Sequence, residues 1–347
     1  MASSTPETDF SFDPSEGAST ADERGAPVRG LGPWRLAWRR LRRDRVALAA
    51  LGVFFAIVAM CAAAPLYASA VAQRGPSATG VTDKITIDGV PTDVVSPDGS
   101  PIGPGLRRTY LLGADALGRD VMVRMLYGGR NSLLVGFASA VLTTILAVSL
   151  GLAAGYFRGR VDRLISSFFD ILWSLPALLF AIALGTALAL GGLNLGLVRI
   201  EGDSIWIPIF IIGVVYVPYL GRPVRGQVLS LREKEFVEAA VAQGMGSGRI
   251  MFSEILPNIA STLLVFGTLI IAQNIILETA LSFLGAGLQP PAPSWGNLIG
   301  DGASRIVTAP HLSLIPGAAI VITVLSLNVF GDGLRDALDP RAKVRLR

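Results

Sequence analysis

Hydrophobic positions gather into six long runs, about 46–66, 131–157, 164–190, 205–220, 259–284 and 312–330, separated by polar connections. Each reads as an apolar helix able to cross a hydrocarbon core roughly 30 Å thick. The pattern predicts an all-α membrane protein with six transmembrane helices. In the second run, Gly151 and Gly155 form a small-xxx-small pair that lets a neighbouring helix pack closely. Pro176 predicts a kink in the third run, and Pro208 and Pro218 stand near the ends of the fourth.

The polar stretches divide the rest of the chain. Residues 1–33 lack an apolar period and are rich in Ser, Thr, Pro, Asp, Glu and Gly, which predicts a disordered cytoplasmic tail. Residues 34–66 join a basic juxtamembrane segment (Arg35, Arg39, Arg40, Arg42, Arg43 and Arg45, beside Trp34 and Trp38) to the first span. The long segment before that span favours an uncleaved signal anchor over a cleaved signal peptide. Residues 67–128 predict an extracytoplasmic insertion. In it, 85–91 and 94–100 alternate β-branched residues with turn dipeptides, the pattern of a small hairpin or meander. Leu117, Val121, Met122, Met125 and Leu126 share a helical arc opposite Arg119, Asp120 and Arg124, the pattern of a helix lying on the membrane surface or of a buried helix of a small extracytoplasmic domain. Residues 129–334 supply the other five spans as the permeation core, and 335–347 a short cytoplasmic tail.

One polar stretch carries a period of its own. Between 232 and 257, Phe236, Val237, Ala240 and Val241 share one helical face, while Lys234, Glu235 and Glu238 share the other. Gly244, Gly246 and Gly248 interrupt this helix, a second short helix is expected from about Arg249 to Leu256, and Pro257 opens the fifth span. A helix–turn–helix between spans is either a docking element or an ordinary interfacial loop, and periodicity does not choose between them.

Composition agrees with a membrane location: the chain is 51% hydrophobic and 16% charged, with a mean hydropathy of +0.55. The net charge of +4 does not argue for nucleic acid, because the basic residues cluster where they orient spans in lipid. Arg158, Arg160 and Arg163, then Arg222, Arg225, Arg232, Lys234 and Arg249, then Arg335, Arg341, Lys343, Arg345 and Arg347 fall on one side of the spans. The positive-inside rule makes that side, and both termini, cytoplasmic. A lone cysteine, Cys61, excludes an intrachain disulfide, and a lone histidine, His311, argues against a histidine-built metal site.

Polar residues inside spans are candidates for a transport path. Asn274 and Glu278 stand four apart on one face of the fifth run, beside Gln273. They line a translocation path or make a hydrogen bond to a neighbouring span. Asp170, near the kink, reads as structural. No phosphate loop, H-E-x-x-H pair or nucleophile elbow is present, so no catalytic residue, cofactor site or metal site is expected in this chain. Energy for transport would have to come from a nucleotide bound elsewhere.

Glu238-Ala239-Ala240, Gly244 and the closing Leu256-Pro257 resemble the EAA motif of binding-protein-dependent ABC importer permeases. Glu254 departs from the aliphatic residue many permeases place there, a departure that fits the peptide-type branch. Leu112–Asp120, Leu281–Gly296 and Gly331–Pro340 resemble the C-type subunit of the dipeptide/oligopeptide/nickel permease family, and the likeness runs from about Trp34 to Arg341. The resemblance implies a type I importer-like permease in a bacterial or archaeal cell membrane. Its implied partners are a second homologous permease, two ABC ATPase subunits that hold ATP and Mg, and an extracytoplasmic solute-binding protein. Coupling to the ATPases is implied for Glu235, Glu238, Ala239, Ala240, Gly244, Leu256 and Pro257. The implied cargo is a di- or oligopeptide, with nickel or another small solute as the alternative. A secondary transporter or channel would instead show inverted repeats or a charged intramembrane relay, and neither is evident. A membrane-anchored receptor would use 67–128 as its binding domain.

Overall fold

The computed structural model of the protein describes residues 33–87, 89–194 and 199–339. Nearly all of the expected N-terminal tail and residues 340–347 of the expected C-terminal one lie outside the described residues.

Helix α1 (Pro33–Leu41) carries the basic cluster and buries Ala37 and Leu41. Helix α2 (Arg45–Ala62) starts at Asp44, whose carboxylate accepts from the backbone N–H groups of Val46 and Ala47, both at 3.0 Å. That is the usual way a helix satisfies its first orphan donors. The chain continues through α3 (Ala64–Tyr67) and a wide π turn (Ala68–Ala72), and Gln73, at φ 51°, turns it into the insertion.

The expected hairpin is present: β1 (Lys84–Ile87) pairs antiparallel with β2 (Val90–Asp93), Lys84 opposite Asp93 and Ile87 opposite Val90. Val94, Val95, Tyr110 and Ala114 give the insertion a small core of its own. Asp120 joins it to the membrane part. One carboxylate oxygen accepts from Tyr110 N at 2.7 Å, and the other caps the next helix through Met122 N and Val123 N, at 2.9 and 3.2 Å.

That helix, α4 (Val121–Phe157), is unbroken over 37 residues, about 55 Å at 1.5 Å per residue. The surface helix expected near 121–126 is therefore the insertion-side end of this long apolar helix. Its amphipathic arc misled because Arg124 does not face water: its guanidinium is buried against Asp115 and reaches Asp301 at 3.1 Å, while Leu117 lies before the helix and is exposed. Helix α4 is the central mast, packed on α2 and on the helices that follow.

Helices α5 (Gly159–Ser174) and α6 (Ala177–Gly191) meet at 88°, a break rather than the expected kink. Pro176 is the cause, since it has no N–H for the ladder and holds Leu175 in an extended conformation. A short antiparallel pair, β3 (Leu193–Asn194) and β4 (Arg199–Ile200), follows. Helices α7 (Trp206–Val215) and α8 (Val217–Arg232) are bent by 42° ahead of Pro218. The small-xxx-small expectation holds here: a Cβ on Gly151 or Gly155 would stand 2.7 Å from Val224 or 2.6 Å from Val228 of α8. No larger residue fits that crossing.

After the short helices α9 (Glu235–Ala242) and α10 (Ser247–Arg249) and a π turn (Ile250–Ile255), α11 (Leu256–Phe283) forms the fifth apolar helix. Helix α12 (Trp295–Ala303) wedges Trp295 against α4, where its indole N–H donates to Met125 O at 3.1 Å. Helix α13 (His311–Leu338) runs past the expected end at Phe330. Among the described residues, four helices are long and apolar enough to cross a membrane, and six spans result only if each bent pair counts as one.

Candidate functional site

The helical hairpin that interrupts the last membrane helices is built from its cap residues outward. Lys234 leaves α8 in an extended conformation (φ −92°, ψ 147°), and α9 begins with Glu235 and Glu238 in its first turn, where carboxylates favour the positive end of the helix. Gly244 ends it at φ +77°. Its N–H donates to Val241 O at 2.9 Å, and the next N–H, of Met245, donates to Ala240 O at 3.1 Å. This pair of bonds closes a helix only when the residue between them takes a left-handed conformation, which glycine adopts without strain. Gly246 starts the following turn from an extended conformation, and Gly248 lies within α10 and breaks nothing.

The second short helix does not stand alone. From Ser247 the chain stays helical through α10 and the π turn into α11, so the second arm of the hairpin and the fifth apolar helix are one continuous rod. Leu256 N donates five residues back, to Met251 O. Pro257, in the first turn of α11, directly follows this widened segment, where the ladder changes from five-residue to four-residue bonds.

Burial splits α9 into two faces, and the split differs from the expected one. Val237 and Ala240 face inward, 2% and 5% exposed, and join one core with Val228, Ile250 and Ile255. Phe236 and Val241, expected on the same apolar face, are exposed at 38% and 55%. Glu235, Glu238, Ala239 and Ala242 are exposed with them; Leu256 is half-buried and Pro257 exposed. Ala240 is thus small because it packs inside the chain, and only Ala239 of the pair can meet a partner.

Beside the outer face lies a groove of about 690 Å³, lined by Tyr156, Arg158, Arg232, Glu233, Glu238 and Val241 among others. Arg158, at the end of α4, pairs with Glu233, and this hydrogen bond holds the Glu233 carboxyl below the usual carboxylate range. The Arg232 guanidinium stands 5.5 Å from the centre of the Tyr156 ring. On the neighbouring helices, Asp162 of α5 accepts from Arg225 of α8, and Asp170 accepts from Arg222 at 2.7 Å, the structural role expected of it. Sequence reasoning used these arginines only for orientation. Their partners lie 75, 63 and 52 residues away in the chain, beyond any local signal.

The residues expected on a path or in a hydrogen bond between spans sit inside the helix bundle. Asn274 and Glu278 are completely buried. The Asn274 amide hydrogen-bonds the Ser139 hydroxyl of α4 at 2.9 Å, and Glu278 accepts from Ser282 at 2.7 Å. Of their alternative readings, the bond to a neighbouring helix describes Asn274, while Glu278 bonds Ser282 of its own helix and also faces Ser132 of α4 and Ser294, the cap of α12. Gln273, one residue earlier, is turned about 100° around the helix and is exposed.

The family described as binding-protein-dependent transport system inner membrane component matches residues 147–344, and that described as the N-terminal TM domain of oligopeptide transport permease C matches 32–78. The chain is 38% identical to the dipeptide transport system permease protein DppC of Alkalihalophilus pseudofirmus, over 90% of its own length and 91% of that protein's. It is 35% identical to the glutathione transport system permease protein GsiD of Pectobacterium atrosepticum, over 90% and 92%. The same identity holds for the oligopeptide transport system permease protein OppC of Haemophilus influenzae, over 90% of both chains. Among solved structures, an inward-facing form of the MetNI methionine ABC transporter shares the fold, with a TM-score of 0.51 at 18% identity over 63% of this chain and 98% of that one.

Proposed function

Because this chain belongs to the family of binding-protein-dependent transport system inner membrane components, we propose that it forms half of the channel of an ATP-driven peptide importer and meets the ATPase through the outer face of α9. It is a multi-pass membrane protein with the type I importer fold. The peptide cargo is favoured by relatives named for dipeptide, oligopeptide and glutathione transport. A second permease completes the channel, a solute-binding protein delivers the cargo, and ATP and Mg belong to the ATPase subunits.

The observation that carries the coupling role is the exposed outer face of α9, Glu235, Glu238, Ala239 and Ala242 with Phe236 and Val241 at its two edges, beside an open groove. The alanines at its middle let a partner helix or cleft approach closely, the carboxylates can pair with basic groups, and the two edges add apolar area to the contact. Its inner face packs on α8 and the π turn, and the rod from Ser247 to Phe283 carries any displacement into the membrane. Movement of the ATPases would in this way rock the spans and alternate access to the path. On the path, Gln273 takes the place of Asn274 and Glu278.

The basic residues at this end, Arg158, Arg222, Arg225 and Arg232, favour placing it in the cytoplasm. Affinity purification of the chain from its own membranes tests the reading. An ATPase pair, a second permease and peptide-stimulated ATP hydrolysis are expected, and uptake without any bound ATPase would overturn it.

A further inference from the structure

Between α2 and α4 runs a groove of about 610 Å³, walled by Phe54, Phe55, Val58, Leu133, Leu134 and Phe137. One charged residue, Arg130, stands in its lining, and no carboxylate does. Arg130 is exposed and has no hydrogen bond or ion pair among the described residues. From this we propose that the groove seats one anionic phospholipid, with the phosphodiester on Arg130 and an acyl chain along the apolar walls.

Depth supports the assignment. Arg130 lies 27 residues before Phe157 on an unbroken helix, about 40 Å along the axis. That distance spans a hydrocarbon core of roughly 30 Å and part of one headgroup layer. The other wall agrees: α2 is an apolar helix of 18 residues, about 27 Å, and its far end at Ala62, with Pro65 just beyond, borders the same groove. Arg130 therefore stands at headgroup level on the insertion side, and Phe137 two turns deeper, at acyl-chain level.

Charge selects the headgroup. A guanidinium binds a phosphodiester through paired N–H donors. A zwitterionic lipid would bring a second cation, its ammonium group, beside Arg130 in a lining that holds no carboxylate, whereas a net-negative headgroup brings none. A second permease chain laid over this face would have to supply a carboxylate to Arg130, and that occupant is an outcome of the test.

Native mass spectrometry of the detergent-purified complex, titrated with phosphatidylglycerol or phosphatidylcholine, reads the site. One phosphatidylglycerol is expected to be retained roughly tenfold more tightly, and lost in Arg130→Gln and in the groove-filling Leu134→Trp. Leu134 is 49% exposed, so its substitution leaves the core intact. Equal retention of the two lipids, or an adduct that survives both variants, would overturn the proposal. A photo-crosslinker in place of the exposed Phe55 should capture lipid, and capture of a second permease chain would equally refute it.

Discussion

Arg225 grips Asp162 with both prongs of its guanidinium, Nε at 2.5 Å and Nη2 at 2.7 Å, and so ties the first turn of α5 to α8. Ser166 donates to the same carboxylate at 3.1 Å. Helix α8 leads directly into α9, so this pair fixes where the hairpin begins.

Asp162→Asn should lower the stability of the complex by about 1–2 kcal/mol, a figure already reduced for partial exposure of the pair. Thermal unfolding measures this. The exchange Asp162→Arg with Arg225→Asp should recover part of the loss. Single variants as stable as the parent would show that the tie holds nothing.

Gly244 has φ +77° and open space where a Cβ would go, so substitution there acts on the backbone alone. A β-branched residue costs about 1–2 kcal/mol in a left-handed conformation, and asparagine less. Gly244→Val should loosen the end of α9 and reduce peptide-stimulated ATP hydrolysis, with Gly244→Asn close to the parent. Equal activity of the two variants would remove the conformational argument.

Asp120 accepts three backbone N–H groups, one from the insertion and two from α4. Asp120→Ala leaves them unpaired and should cost about 2–3 kcal/mol. Hydrogen exchange should quicken around Tyr110 and Val123 while the far end of α4 stays protected. Unchanged exchange at Tyr110 would deny that this carboxylate joins the two parts.

In a cysteine scan of α11, Gln273→Cys should react with a membrane-impermeant thiol reagent during turnover. Asn274→Cys and Glu278→Cys should stay unreactive, since both side chains are fully buried. Labelling confined to the latter two would restore the path first expected from the sequence.

The apolar runs made the long helices legible, because twenty consecutive apolar residues leave few other choices. Gly244 was equally readable as a helix stop, and Gly151 and Gly155 as a close crossing. What failed depended on partners far along the chain. Arg124 looked like a surface residue until Asp301, 177 positions on, met it. For Asn274 and Glu278 a path and a bond between spans stayed open, because a helical wheel shows which residues share a face and not what that face meets, here Ser139 and Ser132 of α4. The inner and outer sides of α9 were misassigned for the same reason: four apolar positions cluster on one arc, but α8 and the π turn cover only Val237 and Ala240. Proline marked every bend, yet its sequence position could not distinguish a kink from the 88° break after Ser174.

The coupling role of α9 is tested most directly by site-specific photo-crosslinking in the assembled transporter. A crosslinker at the exposed positions Ala239 or Val241 should capture the ATPase subunit, and one at Val237 or Ala240, which face the core, should not. Capture from the inner positions as readily as from the outer ones, or from neither, would contradict the account.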